Sequence, residues 1–339
     1  MILLRKLLFP FAILYGFITS LRNYLYDKGI LKSYSFDIPI IVVGNLNVGG
    51  TGKTPQIEYL IRLLSSNYKV ATLSRGYKRK SEGFVLADAN SNAEIVGDEP
   101  FQYFKKFPNI QVAVDTERRN GLSQLLKQKE KPEIVLLDDA FQHREVKAGF
   151  YILLTAYDDL FCNDYMLPTG NLRESRNGAF RANLIIVTKC PINIDKHEQE
   201  RIKKVIDLEL PIFFSTVSYD DKIYSETESL RVSEIKSMQK ILLAGIANPK
   251  PFFDYLKTDT DETITYADHH HYSESDILNI KSRAIDKIII TTEKDFVRLN
   301  AKILTSQLYY LPIKSKLVSD QETFEKIILN YVGTCTRNC

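Results

Sequence analysis

The chain has 339 residues, 44% hydrophobic and 26% charged, a globular balance with enough length for two ordinary domains. A net charge of +3 is too small to indicate nucleic-acid binding. The four cysteines (Cys162, Cys190, Cys335, Cys339) lack metal-finger spacing and fit a reduced, cytoplasmic setting, so a disulfide-stapled secreted fold is excluded.

The first thirty residues stand apart. Arg5-Lys6 is followed by an uncharged run, residues 7–21, and then Arg22. The run is shorter than the roughly 20 residues that span a bilayer, and Pro10 and Gly16 interrupt it. Tyr15, Tyr24 and Tyr26 suit a headgroup interface, and Arg5, Lys6, Arg22 and Lys28 suit an anionic leaflet. Two readings follow: an interfacial membrane helix, which is preferred, or a helix packed on the protein's own core. No small-residue cleavage site suggests a signal peptide.

Residues 38–43, Ile-Pro-Ile-Ile-Val-Val, read as a buried strand, and residues 56–64 carry apolar side chains at helical spacing. Between them stands Asn47-Val48-Gly49-Gly50-Thr51-Gly52-Lys53-Thr54. Strand, glycine-rich turn and helix make a phosphate cradle, where backbone N–H groups and the helix dipole face an anion. Lys53 would reach the β- and γ-phosphates, and the Thr54 hydroxyl would ligate Mg²⁺. Asn47 occupies a place where the strict pattern has glycine, and asparagine's tolerance of left-handed backbone is expected to preserve the loop. The loop predicts a nucleoside triphosphate ligand.

Further strands are expected at residues 68–73, 110–114, 134–137, 151–154 and 184–187, alternating with helices, which indicates a mostly parallel sheet covered on both faces. Residues 83–94 read as a hairpin or loop excursion. Asp138-Asp139 closes the strand at 134–137, where a carboxylate can hold Mg²⁺. Asp98, in Gly97-Asp98-Glu99-Pro100, reads equally as a helix N-cap and as a base or Mg²⁺ contact at the γ-phosphate. Arg75, Arg173 and Arg176 offer guanidinium groups to phosphate oxygens. Thr188-Lys189-Cys190-Pro191 resembles a guanine-reading segment but has Pro191 in place of the acidic residue, which argues against GTP.

The texture changes after Pro211. Residues 213–217 and 228–232 look like short connector strands, and residues 240–245 and 287–292 restart the α/β rhythm. The expected divisions are a membrane-associated helix at 1–30, a P-loop lobe at 31–212, a connector at 213–235 and a second lobe at 236–339. Asp268-His269-His270-His271 could place an Asp–His pair in the cleft, or form a polar loop ahead of a helix capped by Ser273.

Together these segments resemble the tetraacyldisaccharide 4'-kinase (lipid A 4'-kinase) family. The resemblance rests on residues 43–55, Ser74-Arg75-Gly76-Tyr77, Gly97-Asp98-Glu99-Pro100, Asp138-Asp139-Ala140-Phe141-Gln142-His143, Leu172-Arg173-Glu174, Asp268-His269 and Thr292-Glu293-Lys294-Asp295. Ala140 stands where the family usually has glycine. The resemblance implies two α/β/α lobes joined by a small two-stranded sheet. It also implies ATP- and Mg²⁺-dependent phosphorylation of the 4'-hydroxyl of an acylated glucosamine disaccharide 1-phosphate, at the cytoplasmic face of the inner membrane.

Carried onto this chain, Asp98 is the general base assisted by His269, with His270 as the alternative. Residues 47–54 with Arg173 and Glu174 hold the nucleotide. Thr54, Asp138 and Asp139 serve the metal, and Arg75 and Arg118 meet the substrate. No obligate protein partner is evident. The rival class is a membrane-associated P-loop ATPase switch with no lipid acceptor.

Overall fold

A computed structural model describes residues 5 and 7–337, with 269, 301 and 305 left out. The first helix, α1, spans Phe9–Asp27. It is followed by β1 (Ile40–Asn45), α2 (Lys53–Leu64), β2 (Val70–Ser74), β3 (Val85–Leu86), α3 (Ala93–Val96), α4 (Asp98–Lys106), β4 (Gln111–Val114), α5 (Arg118–Leu125), β5 (Ile134–Asp138), β6 (Phe150–Ala156), β7 (Leu184–Thr188), α6 (Lys196–Ile206) and β8 (Ile212–Tyr219). These strands, with β15 (Ile313–Leu317) from far downstream, form a nine-stranded sheet in the order β15-β8-β7-β6-β1-β5-β2-β4-β3. Seven strands from β8 to β4 are parallel, and the edge strands β3 and β15 are antiparallel.

The central strands are apolar on both faces because both are covered. In β1, Ile40 and Val42 face one core with Leu73, Val135, Leu137 and Phe141. Ile41 and Val43 face the other, against Ile57, Leu60, Ile61 and Leu64 of α2. Those α2 positions recur at the helical repeat, so one face of the helix is buried and its N-terminus meets the C-terminal end of β1.

The second sheet has six strands in the order β10-β9-β14-β13-β11-β12. Its parallel part is β12 (Glu262–Thr265), β11 (Lys240–Ala244), β13 (Ile288–Thr292) and β14 (Leu308–Leu311). The hairpin β9 (Lys222–Tyr224) and β10 (Ser229–Arg231) adds an antiparallel edge. Helices α7 (Val232–Ile235), α8 (Lys250–Leu256), α9 (Glu274–Arg283) and α10 (Glu293–Leu299) accompany it. Lys240 and Asp261 form a fully buried ion pair at 2.8 Å within this lobe.

Two elements depart from the sequence reading of a connector at 213–235. Ile212–Tyr219 is a strand of the large sheet, with Phe213 and Phe214 buried, while the second short strand belongs to the small sheet. The two strands that join the lobes are β8 and β15, paired from Ile313↔Tyr219 to Leu317↔Ser215. The chain end also returns to the first lobe. Helix α11 (Gln321–Arg337) buries Phe324, Ile328 and Val332 in the core that contains Ile41 and Ile57. Apolar side chains of matching periodicity on α2 and α11, with Tyr59 donating to Glu325 at 2.6 Å, decide that packing, so no local signal announced it.

Helix α1 is oriented with its polar side inward. Tyr15 donates to the Arg173 carbonyl at 3.0 Å and Asn23 to Glu174 at 2.8 Å, while Arg144 reaches the Asn23 carbonyl at 2.8 Å and Asp27 at 2.6 Å. Only Ala12 of the helix is buried. Leu7, Phe11, Ile13, Leu14, Phe17 and Ile18 all face solvent, so the helix packs on the protein by its polar side and leaves its apolar side exposed. Among the described residues no helix is long and apolar enough to cross a membrane.

Candidate active site

The glycine-rich loop connects β1 to α2 at the carboxyl ends of the parallel strands, where α/β proteins gather ligands. Gly52 caps α2 with φ 81°, a left-handed conformation that turns the loop into the helix without a Cβ penalty. Asn47 departs from the expectation about its backbone: it has no positive φ, and the left-handed loop positions are Gly49 and Gly52. Asn47 persists for another reason. Its buried side chain donates to Asp164 at 3.0 Å, and Val48 N–H donates to the Asn171 carbonyl at 2.8 Å, so loop 164–173 splints the cradle. Thr188 Oγ1 donates to the Thr51 carbonyl at 2.8 Å, and Lys189 Nζ lies 3.8 Å from the Cβ position of Gly50. The 188–191 segment therefore buttresses the loop.

Behind the cradle, cations and carboxylates interlock. Lys53 Nζ donates to Asn45 Oδ1 at 3.0 Å and lies 3.6 Å from Asp139. Arg173 donates to Asp139 at 2.8 and 3.2 Å and to Asn45 Oδ1 at 2.7 Å. Burial raises the Asp139 carboxyl, but Lys53 and then Arg173 outweigh it and hold the pKa at about 2. Asp138, one residue earlier, is pushed the other way, to about 6, by burial and by the charge of Asp139. Its Oδ2 accepts from Tyr103 at 3.2 Å and from Ser74 at 3.5 Å, while its buried Oδ1 has no protein partner. Thr54, in the first turn of α2, and Asp138, at the end of β5, both adjoin Tyr103. Such a hard-oxygen pair beside a phosphate cradle fits Mg²⁺, which is commonly held by few protein ligands together with substrate phosphates. Consistent with that, among the described residues no three His, Cys, Asp or Glu side chains form a self-sufficient metal site.

Other sequence candidates are placed differently from one another. Glu174 is buried and its carboxylate is taken up by Asn23, Gln142 at 2.9 Å and Arg181 at 2.7 Å, so it braces α1 and the strand ends from behind Arg173. Arg118 is also buried, donating to the carbonyls of Asp115 and Asp138. This side chain, expected to meet substrate, supports the end of β5 and lends it positive potential. Arg75 is exposed. Burial and the charges of Arg118, Arg75 and Arg22 lower the His143 pKa to about 4, which marks one basic wall of the cleft.

Asp98 opens α4 after Gly97 (φ 92°), whose Cβ position would crowd Gly76 at 3.2 Å, so glycine is required for this approach. Its carboxylate accepts from Arg298 of α10, across the lobes. His269 lies outside the described residues. His270, the alternative, is engaged in the cap of α9: Nε2 meets Asp276 at 3.0 Å and the ring stacks on Tyr266 at 4.5 Å. Sequence reasoning did not single out Tyr103 or Arg298 for the cleft, and it quoted Asn45, Ser74 and Lys189 only as parts of longer segments. Their side chains are common in non-functional roles, and only folding brings them to it.

Sheet, loop and carboxylates define a P-loop nucleotide-binding protein of the phosphoryl-transfer kind. Residues 4–333 match the family model of the Tetraacyldisaccharide-1-P 4'-kinases. The Flavobacterium johnsoniae protein named tetraacyldisaccharide 4'-kinase is 64% identical over 97% of this chain and 98% of its own length. The Bacteroides thetaiotaomicron protein of that name is 45% identical, over 99% and 95%. A crystal structure of LpxK from Aquifex aeolicus in complex with ATP superposes with a TM-score of 0.80 at 31% identity, over 97% of this chain and 99% of that one. The chain belongs to the tetraacyldisaccharide-1-P 4'-kinase family.

Proposed function

We propose that the chain transfers the γ-phosphate of ATP to the 4'-hydroxyl of a tetraacyldisaccharide 1-phosphate, a lipid A precursor, with Asp98 as the group that takes the hydroxyl proton. What supports this reading is the Lys53–Thr54 loop lying against the Asp139 end of β5, together with Asp98 at the start of a separate helix held by the second lobe. The family relationship and the ATP in the Aquifex aeolicus structure support it.

Backbone N–H groups of residues 48–54 and the positive end of α2 receive the β-phosphate. Lys53 exchanges its contacts with Asn45 and Asp139 for phosphate oxygens, and Arg173 keeps Asp139 ionised while it does so. Thr54 and Asp138 would hold Mg²⁺, which when bound neutralises charge on the β- and γ-oxygens. Arg75 and the basic wall around His143 receive the anionic sugar lipid. A sugar hydroxyl is a poor nucleophile, so a carboxylate positioned to accept its proton assists as the new P–O bond forms. The exposed apolar side of α1 lies in the headgroup region of the inner membrane, at its cytoplasmic face, so acyl chains remain in lipid while the disaccharide reaches the cleft.

The test is incubation with γ-labelled ATP and the lipid disaccharide 1-phosphate. Label is expected at the 4' position, and Asp98→Asn is expected to lower kcat by about 10²- to 10⁴-fold with nucleotide affinity retained. Near-normal turnover in that variant would remove the base assignment. Release of labelled inorganic phosphate at full rate without acceptor would favour the ATPase-switch reading.

A further inference from the structure

Helix α4, which begins at Asp98, is fastened to α10 of the second lobe at both ends. At the cleft end, Arg298 donates from Nε, at 3.1 Å, and from Nη2 to one oxygen of Asp98, Oδ2. Both side chains are largely shielded, at 14% and 23% exposure, so the interaction is not screened as a surface pair would be. At the far end, Lys106 bridges Glu293 at 2.5 Å and Glu58 of α2 at 2.7 Å. Two ion pairs of opposite polarity therefore set both the position of α4 along α10 and the rotamer of its first carboxylate.

We propose that Arg298 is a positioning residue for phosphoryl transfer, acting through Asp98. The inference rests on the reading of Asp98 as proton acceptor. On that reading the carboxylate must remain ionised while a triphosphate is bound. Like charges repel in a partly dry site. A guanidinium bound through Oδ2 offsets the repulsion and fixes the plane of the carboxylate, leaving Oδ1 as the oxygen that takes the acceptor's proton. Because Arg298 belongs to the second lobe and the phosphate loop to the first, the base is competent only when the lobes hold this arrangement.

The experiment is a double-mutant cycle on the full-length kinase with ATP and lipid acceptor, using Arg298→Gln, Arg298→Lys, Asp98→Asn and the Asp98→Asn/Arg298→Gln pair. Arg298→Gln is expected to lower kcat by about 10- to 100-fold, the scale of one charge-assisted hydrogen bond, with KM for ATP changed less than about threefold. Arg298→Lys should recover part of the loss, since it keeps the charge without the two-donor fork. In the Asp98→Asn background Arg298→Gln should have no further effect. Multiplicative losses in the double variant, or an Arg298→Gln enzyme with native kcat, would overturn the inference while leaving the base reading intact. Native kcat in Asp98→Asn alone would instead overturn the base reading, and the inference with it. Should Arg298→Gln not fold, Arg298→Lys in the two backgrounds supplies the same comparison.

Discussion

Asp138 and Asp139 are neighbours in sequence, yet the fold gives them opposite electrostatic surroundings. Asp139 is 40% exposed and faces Lys53 and Arg173, whereas Asp138 is enclosed between Tyr103 and Ser74. For Asp138 the folded pKa, about 6, lies above the ordinary 3.8. The folded state thus binds this proton more tightly, and its contribution to stability, full below pH ~4, is lost as pH rises through about 6. Asp139 behaves in the reverse sense: its contribution is present above pH ~4 and lost as pH falls through about 2, and its exposure makes it small. Asp138→Asn is therefore expected to raise the thermal midpoint of the metal-free protein at pH 8, corresponding to about 2 kcal/mol, with the gain disappearing near pH 4. Melting curves at the two pH values test this. The same variant should lose most kinase activity, because it removes the carboxylate suited to Mg²⁺, a buried charge that the native site keeps at a cost in stability.

Among the elements, α4 and α1 show how position in the fold converts ordinary side chains into functional ones. Lys106 closes α4 between two carboxylates, and burial and Glu58 push Glu293 up to about 7. Lys106→Met would leave Glu293 without a cation and facing Glu58, which keeps Arg62 at 3.3 Å. It should destabilise the protein by about 3 to 5 kcal/mol at pH 8, read as a lower urea midpoint, with a smaller deficit at pH 5 where Glu293 is protonated. On α1, Phe11 and Phe17 are 62% and 65% exposed, so the described residues leave most of each ring uncovered. Replacing both with Glu should lower partitioning onto anionic vesicles by at least ~10-fold, since each buried phenyl ring contributes about 1.5 to 3 kcal/mol. Sedimentation with vesicles measures the change, and the melting temperature should stay nearly constant because neither ring supports the core.

At the scale of the whole molecule, the P-loop lobe is not a continuous stretch of chain. Strand β15 and helix α11 return to it after the second lobe is complete, and Phe324 packs edge-on against Phe213 at 5.3 Å and against Tyr59 of α2 at 5.7 Å. Ser315 reaches Gln56 of the same helix at 3.0 Å. The two strands that link the lobes are thus also anchored beside the phosphate-binding helix. Phe324→Ala is expected to cost about 3 to 5 kcal/mol and to lower nucleotide affinity, although Phe324 lies far along the chain from the helix it packs on. Chemical denaturation and nucleotide titration of the variant check both parts, and unchanged values would mean that α11 is dispensable to the first lobe.

The local code of this chain was legible where chemistry and backbone geometry coincide. The strand–glycine loop–helix at 40–64, the apolar strand ending in Asp138-Asp139, and the unusual first helix each depend on residues close together in sequence. Short-range propensity and periodicity are sufficient for such features. What required the tertiary structure was every relation between distant segments. The pairing of β8 with β15, the return of α11, the inward polar side of α1 and the Asp98–Arg298 contact join positions about 90 to 270 residues apart. Long-range partners are selected by complementary burial and charge in three dimensions, and a one-dimensional pattern carries no signal of which arginine will face which carboxylate.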